Sequence, residues 1–138
     1  MTRTLLVIDD NKSVRESLRF LLLRRGYAVH VAENGRDGIA LAAEGNIDGA
    51  LVDVNMPGMN GVEVCRALRE QAAARGQSIA VWMMTGARTQ ELGKQALAAG
   101  ALALLGKPFD FGDLFRRFDE TLGPVEPPKP APDVLDEL

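Results

Sequence analysis

The segment LLVIDD, residues 5–10, places four apolar side chains directly before two aspartates. A run of consecutive apolar residues that ends in polar ones is typical of a strand buried on both faces of a parallel sheet. Four similar apolar runs follow along the chain, at residues 29–31, 50–54, 79–84 and 101–105. The sequence therefore predicts five short, buried strands.

Stretches with helical spacing follow each of these apolar runs. In the first stretch Val14, Leu18 and Leu22 recur at intervals of four residues, while Arg15 and Arg19 lie on the polar face. The other stretches span about residues 35–44, 62–74, 89–99 and 110–122, and a glycine comes soon after the end of each. Five strand–helix units in succession predict an α/β fold, a doubly wound parallel sheet with helices on both faces.

Composition predicts one domain, residues 1–122, followed by a tail, residues 123–138. The chain has 16 basic and 19 acidic residues and a net charge of −3. The first 122 residues are balanced, so the net charge belongs to the tail, which also holds five of the seven prolines. Proline cannot donate a backbone hydrogen bond, so we expect this Pro-rich acidic tail to be an extended linker or disordered.

Other counts exclude several classes of protein. A hydrophobic content of 46% excludes a disordered chain, and a neutral body lacks the basic surface of a nucleic-acid binder. The only cysteine, Cys65, cannot form an internal disulfide, which suits a reducing compartment. The N-terminal apolar run is too short for a signal peptide or a membrane span. We therefore expect a cytoplasmic protein without a direct membrane or nucleic-acid partner.

Chemically active side chains collect at the predicted carboxyl ends of the strands. These residues are Asp9, Asp10, Asp53, Thr85 and Lys107. In a parallel sheet all carboxyl ends lie on one edge, where such folds bind ligands. Two carboxylates about 5 Å apart repel by roughly 3 kcal/mol at an effective dielectric constant of about 20, so three of them call for a cation. Lys107 supplies one positive charge, and oxygen ligands without histidine or cysteine favour Mg²⁺ as the second.

This arrangement points to phosphoryl transfer onto a carboxylate, which needs charge neutralisation and alignment more than acid–base catalysis. Asp53 is the best candidate for the acceptor because it stands alone on a central strand before the loop VNMPGMNG, residues 54–61. Asp9 and Asp10 would hold the metal. Lys107 and Thr85 would contact the transferred group.

Four motifs in this order resemble the receiver domain of bacterial two-component response regulators over residues 3–122. They are Asp9-Asp10 after LLVI, LVDVNMPGMNG around Asp53, MMTG with Thr85, and GKPF with Lys107-Pro108. The resemblance implies a (βα)₅ flavodoxin-like fold with strand order 2-1-3-4-5. It also implies that a histidine kinase or a histidine phosphotransfer protein donates phosphate from phosphohistidine to Asp53, and that small phosphodonors can do the same.

The resemblance further implies roles for individual residues. Mg²⁺ would lie on Asp10, Asp53 and the backbone carbonyl of Asn55, with Asp9 reaching it directly or through water. The Lys107-Pro108 peptide bond would be cis, and the Thr85 hydroxyl would move toward the phosphoryl group as the switch. The sequence departs from the family pattern at Leu104, where an aromatic residue that swings inward is usual.

We interpret the chain as a signalling switch that catalyses its own phosphorylation and dephosphorylation, not as a metabolic enzyme. A phosphatase of the haloacid dehalogenase type is disfavoured because its D-x-D pattern is missing, and a receiver that binds partners without phosphate is the other alternative. Recognisable output motifs do not follow residue 122, which leaves a single-domain regulator acting on an effector protein or a piece of a longer one with an output domain. Homodimerisation through the fourth helix, fifth strand and fifth helix is common in the family, and the sequence leaves it open.

Overall fold

A computed structural model describes residues 2–123 of the chain. Five parallel strands form one sheet in the order β2-β1-β3-β4-β5, which confirms the predicted order. The strands are β1 (Thr4–Ile8), β2 (Ala28–Ala32), β3 (Gly49–Asp53), β4 (Ala80–Thr85) and β5 (Ala103–Gly106). All of the predicted tail beyond Gly123, residues 124–138, lies outside the described residues.

Each strand is followed by a helix, as the pattern predicts. The helices are α1 (Lys12–Arg25), α2 (Gly35–Ala43), α3 (Gly61–Ala74), α4 (Gln90–Ala98) and α5 (Phe111–Leu122). Every helix begins after an asparagine, threonine or aspartate whose side chain accepts a hydrogen bond from a backbone amide of the first turn. None of the described helices has the length and apolar character needed to cross a lipid bilayer.

The start of β5 differs from the predicted apolar run, residues 101–105. The amide of Ala101 donates to the carbonyl of Ala96 at 3.0 Å, so Ala101 still belongs to the turn that ends α4. Gly100 allows this turn because its φ is +98°, a left-handed value that other residues rarely adopt. Ala101 is nevertheless buried, so an apolar residue is suitable at this position although it lies outside the strand. The apolar run in the sequence therefore begins before β5 does.

Two hydrophobic layers cover the sheet, one on each face. Successive residues of a strand point to opposite faces, so Leu6 and Ile8 pack in the layer with α2, α3 and α4, while Leu5 and Val7 pack in the layer with α1 and α5. In the second layer Trp82 of β4 packs edge-on against Phe118 of α5, with ring centroids 4.8 Å apart. The sheet is thus anchored on both faces, and its carboxyl edge is held in a fixed register.

Candidate functional site

The strand register brings the predicted site residues onto one edge of the sheet. Ile8 of β1 pairs with Val52 of β3, so Asp9 and Asp53 are the next residues along two neighbouring strands. Asp53 itself pairs with Met84, the residue before Thr85. Thr85 pairs with Gly106, the residue before Lys107. The polar residues at the carboxyl ends of β1, β3, β4 and β5, four neighbouring strands of the sheet, therefore lie close together.

Three carboxylates form a tight cluster at this edge. Asp9, Asp10 and Asp53 each offer one oxygen, and these oxygens lie within 4.8 Å of one another. Asp9 and Asp53 are buried, with 0% and 5% of their surface exposed, whereas Asp10 is exposed. The donor atoms are all carboxylate oxygens, which suits a hard cation such as Mg²⁺ that keeps some of its water ligands. The cluster therefore fits the ion that the sequence predicts.

Lys107 supplies the positive charge within the cluster. Its ammonium nitrogen lies 2.7 Å from Oδ2 of Asp9 and 3.7 Å from Oδ2 of Asp53. The lysine comes directly after β5, and its backbone amide donates to the carbonyl of Thr85 at 2.8 Å. The peptide bond between Lys107 and Pro108 is cis, as the resemblance implies. Lys107 is thus shared between two carboxylates and closer to Asp9.

A backbone amide donates to each of the two buried carboxylates. The amide of Asn11 donates to Oδ1 of Asp9 at 2.8 Å, so both oxygens of Asp9 have a partner. The amide of Asn55 donates to Oδ1 of Asp53 at 3.3 Å. Within residues 2–123, the positively charged group near Oδ2 of Asp53 is the Lys107 ammonium, at 3.7 Å. Asp53 is therefore the less compensated of the two buried acids.

The environment of Asp53 makes its carboxyl group unusually basic. Burial raises the pKa of Asp53 from 3.8 to about 6, and the negative charge of Asp9 contributes in the same direction. The charge of Lys107 and the hydrogen bond from the Asn55 amide oppose the shift without cancelling it. A cation at the cluster would stabilise the ionised form, because it adds the positive charge that the site lacks.

Thr85 lies at the carboxyl end of β4 with its hydroxyl engaged by the next loop. Its Oγ1 accepts a hydrogen bond from the amide of Ala87 at 3.1 Å and lies 3.4 Å from the carbonyl oxygen of Ala87, to which it donates. The residue is fully buried. Leu104, at the position that is usually aromatic, is half-buried and packs against the layer formed by α2, α3 and α4.

The loop after Asp53 is held close to the site by a glycine. A Cβ atom on Gly61, the first residue of α3, would overlap the carbonyl oxygen of Asp53 and lie 2.7 Å from Cα of Val54. The amide of Gly61 also donates to the carbonyl of Val54 at 3.0 Å. Only glycine allows this approach, so Gly61 fixes the start of α3 directly behind Asp53.

The sequence reasoning missed Arg15. Helical spacing assigns Arg15 to the polar face of α1, but the residue is half-buried and its Nη1 donates to the backbone carbonyl of Asp9 at 2.8 Å. The periodicity of a helix shows which face a residue occupies, and it does not show how far a long side chain reaches.

An open cleft lies beside the carboxylate cluster. It reaches Asp10 and runs between the N-terminal turn of α2 and the loop at residues 57–59. Asp10 lines this opening, whereas the buried Asp9 and Asp53 do not. The cluster is thus accessible from solvent on one side.

The comparisons with known proteins agree with this geometry. Residues 5–119 match the response regulator receiver domain family, and the chain belongs to this family of two-component signalling domains. The response regulator MprA of Mycolicibacterium vanbaalenii is 37% identical over 123 residues, which cover 89% of this chain and 52% of that protein. The chain therefore spans about half the length of the curated relatives it matches.

Solved structures show the same architecture. The chemotaxis protein CheY4 of Vibrio cholerae superposes with a TM-score of 0.80 at 30% identity, covering 88% of this chain and 99% of that one. The receiver domain of DrrB, solved in a form activated by beryllofluoride, superposes with a TM-score of 0.76 at 26% identity, covering 88% and 98%. The predicted (βα)₅ flavodoxin-like fold is confirmed.

Proposed function

We propose that Asp53 accepts a phosphoryl group from a phosphohistidine in a Mg²⁺-dependent reaction, and that the resulting phosphoaspartate switches the conformation of the domain. The observation that carries the proposal is the shared edge of Asp9, Asp10, Asp53 and Lys107, in which Asp53 is the buried carboxylate with the weaker charge compensation. Membership of the receiver family supports the same role.

The carboxylate of Asp53 is the nucleophile of the proposed reaction. An oxygen of Asp53 forms a bond to phosphorus while the bond between phosphorus and the donor's imidazole nitrogen breaks. The imidazole leaves with the electron pair of that bond and takes up a proton. The product is an acyl phosphate on Asp53, and attack of water on its phosphorus would regenerate the carboxylate and release inorganic phosphate.

Negative charge is the main obstacle to this reaction, and the site addresses it with two sources of positive charge. Lys107 is close enough to Asp53, at 3.7 Å, to pair with an oxygen of the incoming phosphoryl group. Asp9, Asp10, Asp53 and the carbonyl of Asn55 are the proposed metal ligands. Mg²⁺ bound there would neutralise the carboxylates and the phosphoryl oxygens.

Thr85 is the proposed link between the phosphoryl group and the rest of the domain. Its hydroxyl is hydrogen-bonded to the backbone of Ala87. To contact a phosphoryl oxygen the hydroxyl would have to give up these hydrogen bonds, and this movement would shift the loop at residues 86–89. Such a change couples a local charge to a two-state segment. Leu104 is an aliphatic side chain packed against the layer of α2, α3 and α4, so a readout through this residue does not depend on the rotation of a ring.

The proposed partners follow from the reaction. A histidine kinase or a histidine phosphotransfer protein would supply the phosphoryl group, and an effector protein or an output domain would read the switch. The yeast phosphotransfer protein Ypd1, co-crystallised with the receiver domain of Ssk1, is an example of such a pair. For this chain the partner is a proposal that rests on the site.

The first test is direct phosphorylation. The protein is incubated with Mg²⁺ and acetyl phosphate, and its intact mass is measured. We expect one phosphoryl group per chain in the wild type and none in Asp53→Asn or in the presence of a chelator. An unmodified wild type, or an equally modified Asp53→Asn variant, would rule out the proposal.

A further inference from the structure

Arg15 contacts the site without being one of its predicted members. Its guanidinium donates to the carbonyl of Asp9 at 2.8 Å, across the turn that joins β1 to α1. The side chain is half-buried, unlike that of Arg19 one turn further along the helix, which is exposed. This arginine therefore has a specific role in the turn that carries two of the three carboxylates.

Among the hydrogen bonds of residues 2–123, Arg15 is the donor to the backbone carbonyl of Asp9 in this turn. The amide of Asp9 donates to the carbonyl of Ala32 in β2 at 3.1 Å, and this hydrogen bond fixes the position of the Asp9 backbone nitrogen. The carbonyl of Asp9 is held by Arg15. The next atom along the chain is the amide nitrogen of Asp10, so these two contacts together orient the peptide plane that precedes Asp10.

Asp10 depends on this backbone support more than the other two acids do. Asp9 and Asp53 have hydrogen-bond or ion-pair partners for their carboxylates. Within residues 2–123 the carboxylate of Asp10 has no such partner, and the residue is exposed. The direction of its side chain is therefore set by the main chain to which it is attached.

We propose that Arg15 is a positioning residue for the metal site, which holds the Asp9 carbonyl and thereby keeps the Asp10 carboxylate directed at the cluster. The inference rests on the proposed function, since it assumes that Asp10 is a metal ligand. Groups that orient a ligand without touching the metal commonly change metal affinity by about 10-fold to 100-fold when they are removed.

Charge and position make opposite predictions for the loss of Arg15. A positive charge near a cation site repels the cation, so removal of the charge alone would tighten Mg²⁺ binding. Loss of the hydrogen bond would instead free the peptide before Asp10 and weaken Mg²⁺ binding. The sign of the effect therefore separates a positioning residue from a distant charge.

The test compares Arg15→Met and Arg15→Lys with Arg19→Met as the matched control. Mg²⁺ affinity of the unphosphorylated full chain is measured by calorimetry and by amide chemical shifts at residues 9–11, after urea unfolding has shown that each variant is folded. We expect Arg15→Met to bind Mg²⁺ about tenfold more weakly than the wild type. Arg15→Lys should lie between the two because lysine keeps one donor, and Arg19→Met should bind as tightly as the wild type or slightly better.

Kinetics with acetyl phosphate give a second readout. The Mg²⁺ concentration for half-maximal phosphorylation should rise in Arg15→Met, whereas the rate at saturating Mg²⁺ should return to that of the wild type. Equal or tighter Mg²⁺ binding by Arg15→Met, or a rate that stays low at saturating Mg²⁺, would overturn the inference. A wild type that binds no Mg²⁺ would instead overturn the proposed function together with it.

Discussion

The ammonium of Lys107 lies 2.7 Å from Oδ2 of Asp9, a contact between residues that are 98 positions apart in the chain. It joins the end of the edge strand β5 to the end of β1 across the two strands between them. Asp9 is fully buried, and this contact supplies the counter-charge that a buried carboxylate requires. The lysine is thereby held within reach of Asp53 before any phosphoryl group arrives.

Replacement of Lys107 should make Asp53 harder to ionise. The charge of Lys107 lowers the pKa of Asp53, so Lys107→Met should raise that pKa above its value of about 6 in the protein without metal. The carboxyl resonance of Asp53, followed by NMR through a pH titration without Mg²⁺, measures the change. Lys107→Arg, which keeps the charge, is the control, and an unshifted midpoint in Lys107→Met would contradict the expectation.

Stability should depend on pH through Asp53 when Mg²⁺ is absent. Folding raises the pKa of Asp53 from 3.8 to about 6, so the folded state favours the protonated acid. The ionised group therefore destabilises the fold above pH 6 and has no effect well below pH 3.8. A shift of this size corresponds to about 3 kcal/mol at most.

Urea unfolding of wild type and Asp53→Asn with a chelator present checks this dependence. The variant should be more stable than the wild type above pH 6, and the difference should shrink toward pH 4. Added Mg²⁺ should stabilise the wild type more than the variant, because bound ligand favours the folded state. A difference that is constant with pH would show that the carboxylate of Asp53 is not the titrating group.

Thr85→Ala should separate phosphorylation from the switch. The variant loses the hydroxyl that bonds to Ala87, which should cost about 1 kcal/mol of stability. The nucleophile and the cations remain, so phosphorylation should continue. Amide chemical shifts at residues 86–89 on addition of Mg²⁺ and beryllofluoride should be much smaller than in the wild type. Thr85→Ser should behave like the wild type, and full shifts in Thr85→Ala would assign the switch to another group.

A pair of glycine substitutions tests the close approach behind Asp53. Gly61→Ala should destabilise the fold by about 2 kcal/mol and slow phosphorylation, because the new methyl group overlaps backbone atoms of Asp53 and Val54. Gly93→Ala in α4 has open space at the same atom and should stabilise the fold by about 0.5–1 kcal/mol. Urea unfolding measures both, and an unaffected Gly61→Ala would show that the loop after Asp53 moves freely.

Most of the architecture can be predicted from the sequence, because strands buried on both faces of a parallel sheet appear as runs of consecutive apolar residues. Residues 50–54 are apolar except for Asp53, and β3 is buried along its whole length. Once five such strands are predicted, the geometry of a parallel sheet brings Asp9 and Asp53 to one edge without further information. The α/β class and the shared edge were predictable for this reason, whereas the strand order 2-1-3-4-5 came from the resemblance to receiver domains.

Side-chain choices within the cluster were not predictable. The sequence places Lys107 at the right edge but does not show that it lies nearer to Asp9 than to Asp53, because this depends on the relative positions of β1 and β5 across the sheet. The contact of Arg15 with the Asp9 carbonyl was missed for a similar reason, since it depends on the reach of one side chain over a turn. Both are decided by tertiary packing.

The most direct test of the central claim is the location of the phosphoryl group. Borohydride reduces an acyl phosphate on aspartate to homoserine, which peptide mass spectrometry locates by residue. After incubation with Mg²⁺ and acetyl phosphate, we expect homoserine at Asp53 in the wild type. Homoserine at Asp9 or Asp10 instead, or none despite a phosphorylated intact mass, would contradict the account.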